Sequence, residues 1–289
     1  MKPIGSICIA DFQFGIYNQS ALDIVFETGF EGFLQPPSPT ATIQCYCHQG
    51  FQQLTTSNCL YQAKNGEQLL WEIHQQEAQR VYLVYHPDNG QLQQQAFYNA
   101  ATRTWNIYSE AIAFEDTPAL HPFAYPMAPL MWYVLSTEEP LLLIHASGIH
   151  QDGKGRIFSG FSGVGKSTMA HIWQENGAQL INDDRLLLRR KPDGSWTMYN
   201  TPMYYQALPV HAMVNALYFP YHHPENRFEP LFGAKALAQL LAYTIHHGYD
   251  AQHVSHHSQV AQQLIDELPV AKLGVVPTAA VIDFIKAHE

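Results

Sequence analysis

The sequence predicts an α/β chain in two parts, a smaller and mainly antiparallel β part over residues 1–117 and an α/β part over residues 118–289. Three observations carry that prediction. Through the first third of the chain, β-branched and aromatic runs alternate with tight polar turns. Composition then shifts at Asp116-Thr117-Pro118, with Pro122 and Pro126 close behind. Beyond that point, apolar runs of strand length alternate with segments of helical period, the pattern of an α/β domain.

Taken in order, Ile7, Ile9 and Phe12 open the first strands, and Thr40–Cys47 is a β-branched and aromatic run with period-2 alternation. Leu69–Ile73 and Val81–Tyr85 follow, then the turn Pro87-Asp88-Asn89-Gly90, and Gln91–Tyr98 and Trp105–Tyr108 return as strands. Strands joined by tight polar turns predict an antiparallel meander. In the second part, Met127–Leu135 reads as a helix and Leu141–Ala146, near-continuously apolar, as a buried strand. Asp152-Gly153 turns the chain into Arg156–Ser159, a strand that runs into a Gly-rich loop. A helix over Lys166–Glu175 is stopped by Asn176-Gly177. Ala178–Asn182 is a strand, Leu186–Arg190 and Trp196–Tyr199 a hairpin, and Ala216–Phe219 a later strand. Helices close the chain at 232–243, 254–268 and 277–287.

Charge and composition narrow the function classes. Lys+Arg number 15 against Asp+Glu 25, a formal charge of −10. Phosphate-backbone binding draws on clustered Lys and Arg, so nucleic acid is not an expected partner. A polybasic segment for anionic membranes is also missing. The apolar run from Met127 is about half the roughly 18 residues of a membrane helix, so no membrane association is expected. Met1 to Ser6 carries one Lys and runs into Asp11, which does not read as a signal peptide. Four cysteines, Cys8, Cys45, Cys47 and Cys59, make no disulfide framework for a chain of 289 residues, so a reducing cytoplasm is expected.

The chemistry-bearing residues begin with Gly160-Phe161-Ser162-Gly163-Val164-Gly165-Lys166-Ser167, which fits G-x-x-x-x-G-K-[ST] with an apolar strand before it and a helix after it. Glycines let successive backbone N–H groups turn inward around phosphate oxygens, and the helix N-terminus adds positive potential. Lys166 is placed to reach the β- and γ-phosphates, and the Ser167 hydroxyl to ligate Mg²⁺. The competing explanation is a chance match in a Gly-rich turn. Asp183-Asp184 ends a strand 17 residues after that lysine (183 − 166). In an α/β sheet the C-terminal ends of neighbouring strands share the ligand side. One carboxylate there suits Mg²⁺ and the other suits accepting a proton from an attacking hydroxyl. A solvated turn or a helix cap is the plainer alternative. His145, at the end of the apolar strand, suits phosphate contact or the orientation of a carboxylate, against a hydrogen-bonded structural histidine.

Weaker features read as structural. His211, His222, His223, His246, His247, His253, His256 and His257 crowd the last third without any H-E-x-x-H or Cys/His spacing, so a solvated face is expected rather than a metal site. Cys45-Tyr46-Cys47-His48 places its two cysteines on one face of a strand, which is packing. Trp71 and Trp105 lack an accompanying basic groove, so core or interface is expected rather than base stacking.

Leu142-Leu143-Ile144-His145-Ala146-Ser147, Gly160–Thr168 and Gly177–Asp184 together resemble the C-terminal kinase domain of HPr kinase/phosphorylase. They resemble more closely the HPr-kinase-related proteins of bacteria, some of which are encoded beside genes for ribosomally made peptides and are credited with phosphorylating them. The resemblance runs over roughly residues 120–289, with Asn200-Thr201-Pro202, Ala216–Phe219, Glu225–Leu231 and Leu268–Leu273 as further segments. It implies a C-terminal P-loop kinase domain of phosphoenolpyruvate-carboxykinase-like fold, with ATP and Mg²⁺ as cofactors. By the same resemblance Gly160 to Thr168 bind nucleotide and Lys166 contacts phosphate. Ser167 and Asp183 hold the metal, Asp184 accepts the acceptor's proton, and His145 matches an active-site histidine. The metal-binding glutamate of HPr kinase/phosphorylase proper has no counterpart here, since the matching stretch reads Gln206-Ala207-Leu208-Pro209-Val210. Arg227 is the candidate for that family's later arginine.

The function expected is therefore an ATP- and Mg²⁺-dependent kinase acting on a hydroxyl of a small alcohol or, preferentially, of Ser or Thr in a protein or peptide. The β part offers a sheet for strand addition by a peptide or for self-association into a homo-oligomer. A nucleotide-binding regulatory protein with little chemistry is the alternative from another class, and a small-molecule kinase shares the P-loop. An N-K-x-D guanine signature and a transporter signature are both missing from the sequence.

Overall fold

The computed structural model describes residues 3–54, 57–205 and 208–289. It is a mixed α/β structure with large sheets. By contacts it divides into two units, residues 1–131 with 202–208 and residues 132–201 with 209–289. Among the described residues, no helix is long and apolar enough to cross a membrane.

The first unit carries β1 (Gly5–Ile9), β2 (Phe12–Asn18), β3 (Asp23–Ile24), β4 (Leu34–Gln35), β5 (Ile43–Gln49), β6 (Asn58–Asn65), β7 (Gln68–Gln76), β8 (Gln79–Tyr85), β9 (Leu92–Asn99), β10 (Thr104–Ser109), β11 (Ala111–Phe114) and β12 (Thr117–Leu120). Its large sheet has the order β4-β1-β2-β5-β10-β9-β8-β7-β6, and β11-β12-β3 form a small one. The expected antiparallel meander holds from β6 through β10. It fails at β5, which lies parallel to both β2 and β10. The chain leaves β5 for the far edge, β6, and works back strand by strand, so β10 arrives beside β5 in the same direction. Period-2 alternation sets the faces: Ile43, Cys45 and Cys47 are buried while the residues between them are not. Burial pushes the thiols of Cys45 and Cys47 well above their usual range, so these two cysteines pack and do not react. Trp105 is buried, as expected for core.

The second unit contains α1 (Met127–Glu138) from Trp132 onward, then β13 (Leu141–Gln151), β14 (Lys154–Ser159), α2 (Lys166–Glu175), β15 (Gln179–Asn182), β16 (Arg185–Arg190), β17 (Trp196–Asn200), β18 (His211–His222), β19 (Arg227–Pro230), α3 (Gly233–Leu241), α4 (Ala251–Glu267), β20 (Val270–Val275) and α5 (Ala280–His288). The last three helices form where the period predicts them, with ends moved by up to three residues. Strand pairings close on themselves through β13, β16, β17, β18 and β14. Inside that ring Gly148 has no room for a Cβ, which would lie 2.8 Å from Met198 Sδ and 2.9 Å from Leu186 Cδ1.

The sheet is covered on both faces, which is why its strands are apolar at successive positions. Ile157, Leu217 and Phe219 face one core with Ala236 and Leu240 of α3 and Val260 and Leu264 of α4. Phe158, Ala216 and Tyr218 face the other with Met169 and Trp173 of α2 and Val281 and Ile285 of α5. Asn176 and Gly177 end α2 as expected, Gly177 at φ +88°.

The solvated reading of the C-terminal histidines holds for His211, His222 and His246, which are exposed, and needs correction for His247, His256 and His257. His257 is buried, with Nε2 donating to the Ser136 carbonyl at 3.1 Å, and His256 Nε2 donates to the Glu139 carbonyl at 2.8 Å. These bonds hold α4 against the end of α1. Burial pushes His247 and His257 down to about 4. Both are therefore neutral in the fold at pH 6, while their unfolded counterparts titrate near about 6.5. The stability this neutrality supplies is full above about pH 6.5 and is lost as pH falls toward about 4. Urea midpoints should decline over that window, and His257→Gln should flatten the decline. A midpoint constant from pH 7 to 4.5 would contradict it.

Candidate functional site

β14 and β15 lie on opposite edges of β13 and are both antiparallel to it, so they run the same way and end on the same side. At that end β14 enters the Gly160–Gly165 loop and β15 gives way to Asp183-Asp184. β15 and β16 follow one another along a single edge of β13, opposite Gly148–His150 and then Leu141–His145. The ladder shifts register beside Gly148, and the two aspartates fill the break between the strands. Such interruptions re-aim side chains out of the regular pleat. The Ala146 N–H donates to the Asp184 carbonyl at 3.1 Å and keeps the break closed.

The loop turns at Gly163 (φ +79°) and Gly165 (φ +104°), both in the left-handed region that favours glycine. A Cβ at either would meet nothing within 4 Å, so the requirement is conformational, and the space in front of the loop is open. Gly165 caps α2 without a side-chain hydrogen bond, so the first-turn amides face that space with the positive end of the helix dipole. Lys166 is buried, and its Nζ donates to the carbonyls of Gly160 and Phe161, both at 2.9 Å. Burial pushes its pKa down, and the Asp183 and Asp184 carboxylates partly restore it.

His145 and the aspartates are held from several sides. His145 Nδ1 donates to the Asp184 carbonyl at 2.9 Å and lies 3.3 Å from Asp184 Oδ1. Arg185 Nε is 2.8 Å from Asp184 Oδ2. The His145 hydrogen bond holds the Asp184 carboxyl below its usual range against burial, and Arg185 acts in the same direction. The buried Ser147 hydroxyl donates to Asp183 Oδ1. Asn182 is fully buried and fixes the approach, accepting from the Asp183 N–H at 2.8 Å and donating to the Arg185 carbonyl at 2.6 Å.

These residues surround one cavity of about 310 Å³, lined by His145, Ser162, Gly163, Gly165, Lys166, Ser167, Thr168, Asp183, Asp184 and His222. Gly160 lies behind the loop, supplying a carbonyl to Lys166. Phe161 and Val164 line a second cavity of about 420 Å³ with Phe219, Tyr221 and Tyr243. Sequence reading missed three contributors: Ser147, Arg185 and His222. His222 Nε2 donates to the Gly163 carbonyl at 3.3 Å, from the end of a strand parallel to β14. Its place at a strand's C-terminal end was the available signal. Arg227 on β19 does not line the cavity. Gln206 and Ala207, where the sequence lacks the expected acid, lie outside the described residues.

Chemically, the donor set fits a hard divalent cation: the Ser167 hydroxyl and the Asp183 and Asp184 carboxylates offer oxygen ligands at one cavity. The amides of the loop and of the first turn of α2, with Lys166, fit phosphate oxygens beside it.

No family model matches the chain, and no curated protein matches it. Among solved structures the chain is similar to the Hpr(Ser) kinase/phosphatase from Coxiella burnetii, at 13% identity and a TM-score of 0.30, over 50% of this chain and 95% of that chain. A superposition this loose adds nothing to the site, which is read from its own geometry.

Proposed function

We propose that this chain is an ATP- and Mg²⁺-dependent kinase that transfers the γ-phosphoryl group to a hydroxyl, that of Ser or Thr in a protein or peptide. One observation carries the reading: a phosphate-type loop with its buried lysine faces two adjacent carboxylates and a histidine across a single cavity. The loop amides and Lys166 hold and neutralise the phosphate oxygens, the largest contribution the protein makes to such a transfer. Ser167 and Asp183 hold Mg²⁺, which when bound neutralises charge on the β- and γ-oxygens. Asp184 takes the proton of the acceptor hydroxyl, and His145 and Arg185 fix the direction of its carboxylate. A carboxylate offers about four acceptor positions, so both Asp184 oxygens keep room for that hydroxyl beside their present partners.

Calorimetric titration with Mg·ATP tests the nucleotide half. Lys166→Ala removes a charge-assisted contact worth about 1.5–3 kcal/mol, so affinity should fall about 10- to 100-fold. Unchanged affinity would sink the assignment of the loop. Tight binding without transfer of labelled phosphate to any acceptor in a lysate would favour the nucleotide-binding regulatory reading instead.

A further inference from the structure

A second cluster of chemistry-bearing side chains lies in the first unit, on the hairpin of β6 and β7. Cys59 stands opposite His74 in the register of the two strands. Glu72 is two residues before His74 and so shares its face of β7. One ligand atom from each of the three lies within 4.8 Å of the others. Cys59 Sγ is 3.9 Å from Glu72 Oε1, and His74 Nε2 is 3.5 Å from Glu72 Oε2. A tetrahedral site with metal–ligand distances of about 2.0–2.3 Å has edges of about 3.3–3.8 Å; the 3.5 Å and 3.9 Å contacts, made to the two different oxygens of Glu72, lie near that range, and small side-chain rotations would bring one atom of each residue to it. We propose that Cys59, Glu72 and His74 bind a divalent transition-metal ion of the zinc type, with a fourth coordination position open to solvent.

The surroundings are those of a supported ligand set. Glu72 is buried, and its oxygens are held by Gln62 Nε2 on Oε1 at 2.5 Å and by Tyr85 OH on Oε2 at 2.6 Å, with the Cys59 thiol also donating to Oε1. His74 Nδ1 is 3.2 Å from Ser57 Oγ. With its proton on Nδ1, the ring turns the lone pair of Nε2 toward Glu72 and Cys59, the arrangement outer partners impose on metal-bound imidazoles. That Nε2 is buried and makes no hydrogen bond. A buried ring nitrogen whose carboxylate neighbour stands 3.5 Å away is poorly satisfied while the ring is neutral, and a bound cation would satisfy both groups. The histidine and glutamate are 3.5 Å apart, an ion pair when His74 is protonated, and the same two atoms face one another across the place a cation would take when the ring is neutral. Cys59 is exposed, which provides both an entry path and room for a solvent ligand. One sulfur, one imidazole nitrogen and one carboxylate oxygen select a borderline-soft ion over Mg²⁺ or Ca²⁺, which take oxygen ligands.

The test uses the full chain, stripped with chelator and titrated with Co²⁺. Because 16 histidines offer weak competing sites, the thiolate-to-cobalt charge-transfer band is read rather than total metal. One equivalent should raise the band, Zn²⁺ should displace it, and Cys59→Ser should abolish it while Cys8→Ser leaves it intact. Tyr85→Phe, which removes an outer partner, should weaken binding about 10- to 100-fold. In the unsubstituted protein, Zn²⁺ but not Mg²⁺ should protect Cys59 from alkylation, read on its peptide by mass spectrometry, without protecting Cys8. No thiolate band, a band that survives Cys59→Ser, or alkylation of Cys59 at the same rate with and without Zn²⁺ would each overturn the site.

Discussion

Asp184→Asn should lower phosphoryl transfer by about 10²- to 10⁴-fold, the range a positioned general base contributes, while Mg·ATP affinity stays within a few-fold. The substitution keeps the size of the side chain but removes its charge and turns one acceptor oxygen into an amide donor, so the group that would accept the proton is lost. His145 and Arg185 now hold one oxygen each, His145 Nδ1 3.3 Å from Oδ1 and Arg185 Nε 2.8 Å from Oδ2. Their effect holds the Asp184 carboxyl below its usual range, so the lost rate reflects the missing charge and acceptor and not a shift in protonation at neutral pH. Asp183→Asn should behave differently, raising the Mg²⁺ concentration needed for half-maximal rate, because Asp183 is read as the metal ligand. Single-turnover transfer of labelled phosphate, with nucleotide affinity measured separately, distinguishes the two. If Asp184→Asn transfers at the parent rate, Asp184 is not the base, and the kinase reading loses its proton acceptor.

Much of the second unit was legible because its chemistry is local. The loop motif, the strand before it and the helix after it occupy one stretch of chain, and Asn176-Gly177 marks where α2 stops. Asp183-Asp184 was legible as a pair at a strand end. The break in the β13 edge that aims them depends on two strands pairing in succession with a third, which no single segment encodes. His222 escaped for the same reason: it belongs to the site only because β18 lies parallel to β14. The histidines of α4 were read as solvated because their spacing matched no ligand motif. What buries His257 is the end of α1, more than a hundred residues earlier. In the first unit, β5 was recognisable as a strand but not as one parallel to both neighbours, since strand direction is set by the connections. β6 gave no signal at all. Asn58–Asn65 is a polar edge strand, mostly exposed, and lacks the alternation that a half-buried strand shows. Its cysteine therefore stood alone in the sequence, although folding brings it opposite His74.

Arg156→Ala should destabilise the second unit by about 3–5 kcal/mol, the cost of removing one partner from a buried ion pair. Arg156 is 1% exposed, on β14 and four residues before Gly160, where the loop begins. Its Nε and Nη2 donate to the two oxygens of Glu289 at 2.6 Å and 2.7 Å, and Nη1 donates to the carbonyls of Gln151 and Lys154. The guanidinium also lies 4.5 Å from the ring of Trp173, which is fully buried in α2. The side chain thus joins the strand before the Gly160–Gly165 loop to the helix after it. Lysine keeps the charge but not the two-pronged fork, so Arg156→Lys should recover only part of the loss. The pH dependence gives a second readout. Burial pushes the Glu289 carboxyl up, but Arg156, Lys154 and Tyr218 outweigh it and hold it below the usual range. The stability from this pair is therefore full above the ordinary glutamate pKa of about 4.3 and is lost as pH falls through the lower folded value. Urea midpoints of parent and Arg156→Ala should differ most at neutral pH and approach one another in acid. Equal midpoints at pH 7 would show that the pair adds nothing. If β14 and α2 are what hold the loop in its phosphate-ready shape, Arg156→Ala should also weaken Mg·ATP binding at temperatures where the variant is still folded, although Arg156 itself does not line the cavity.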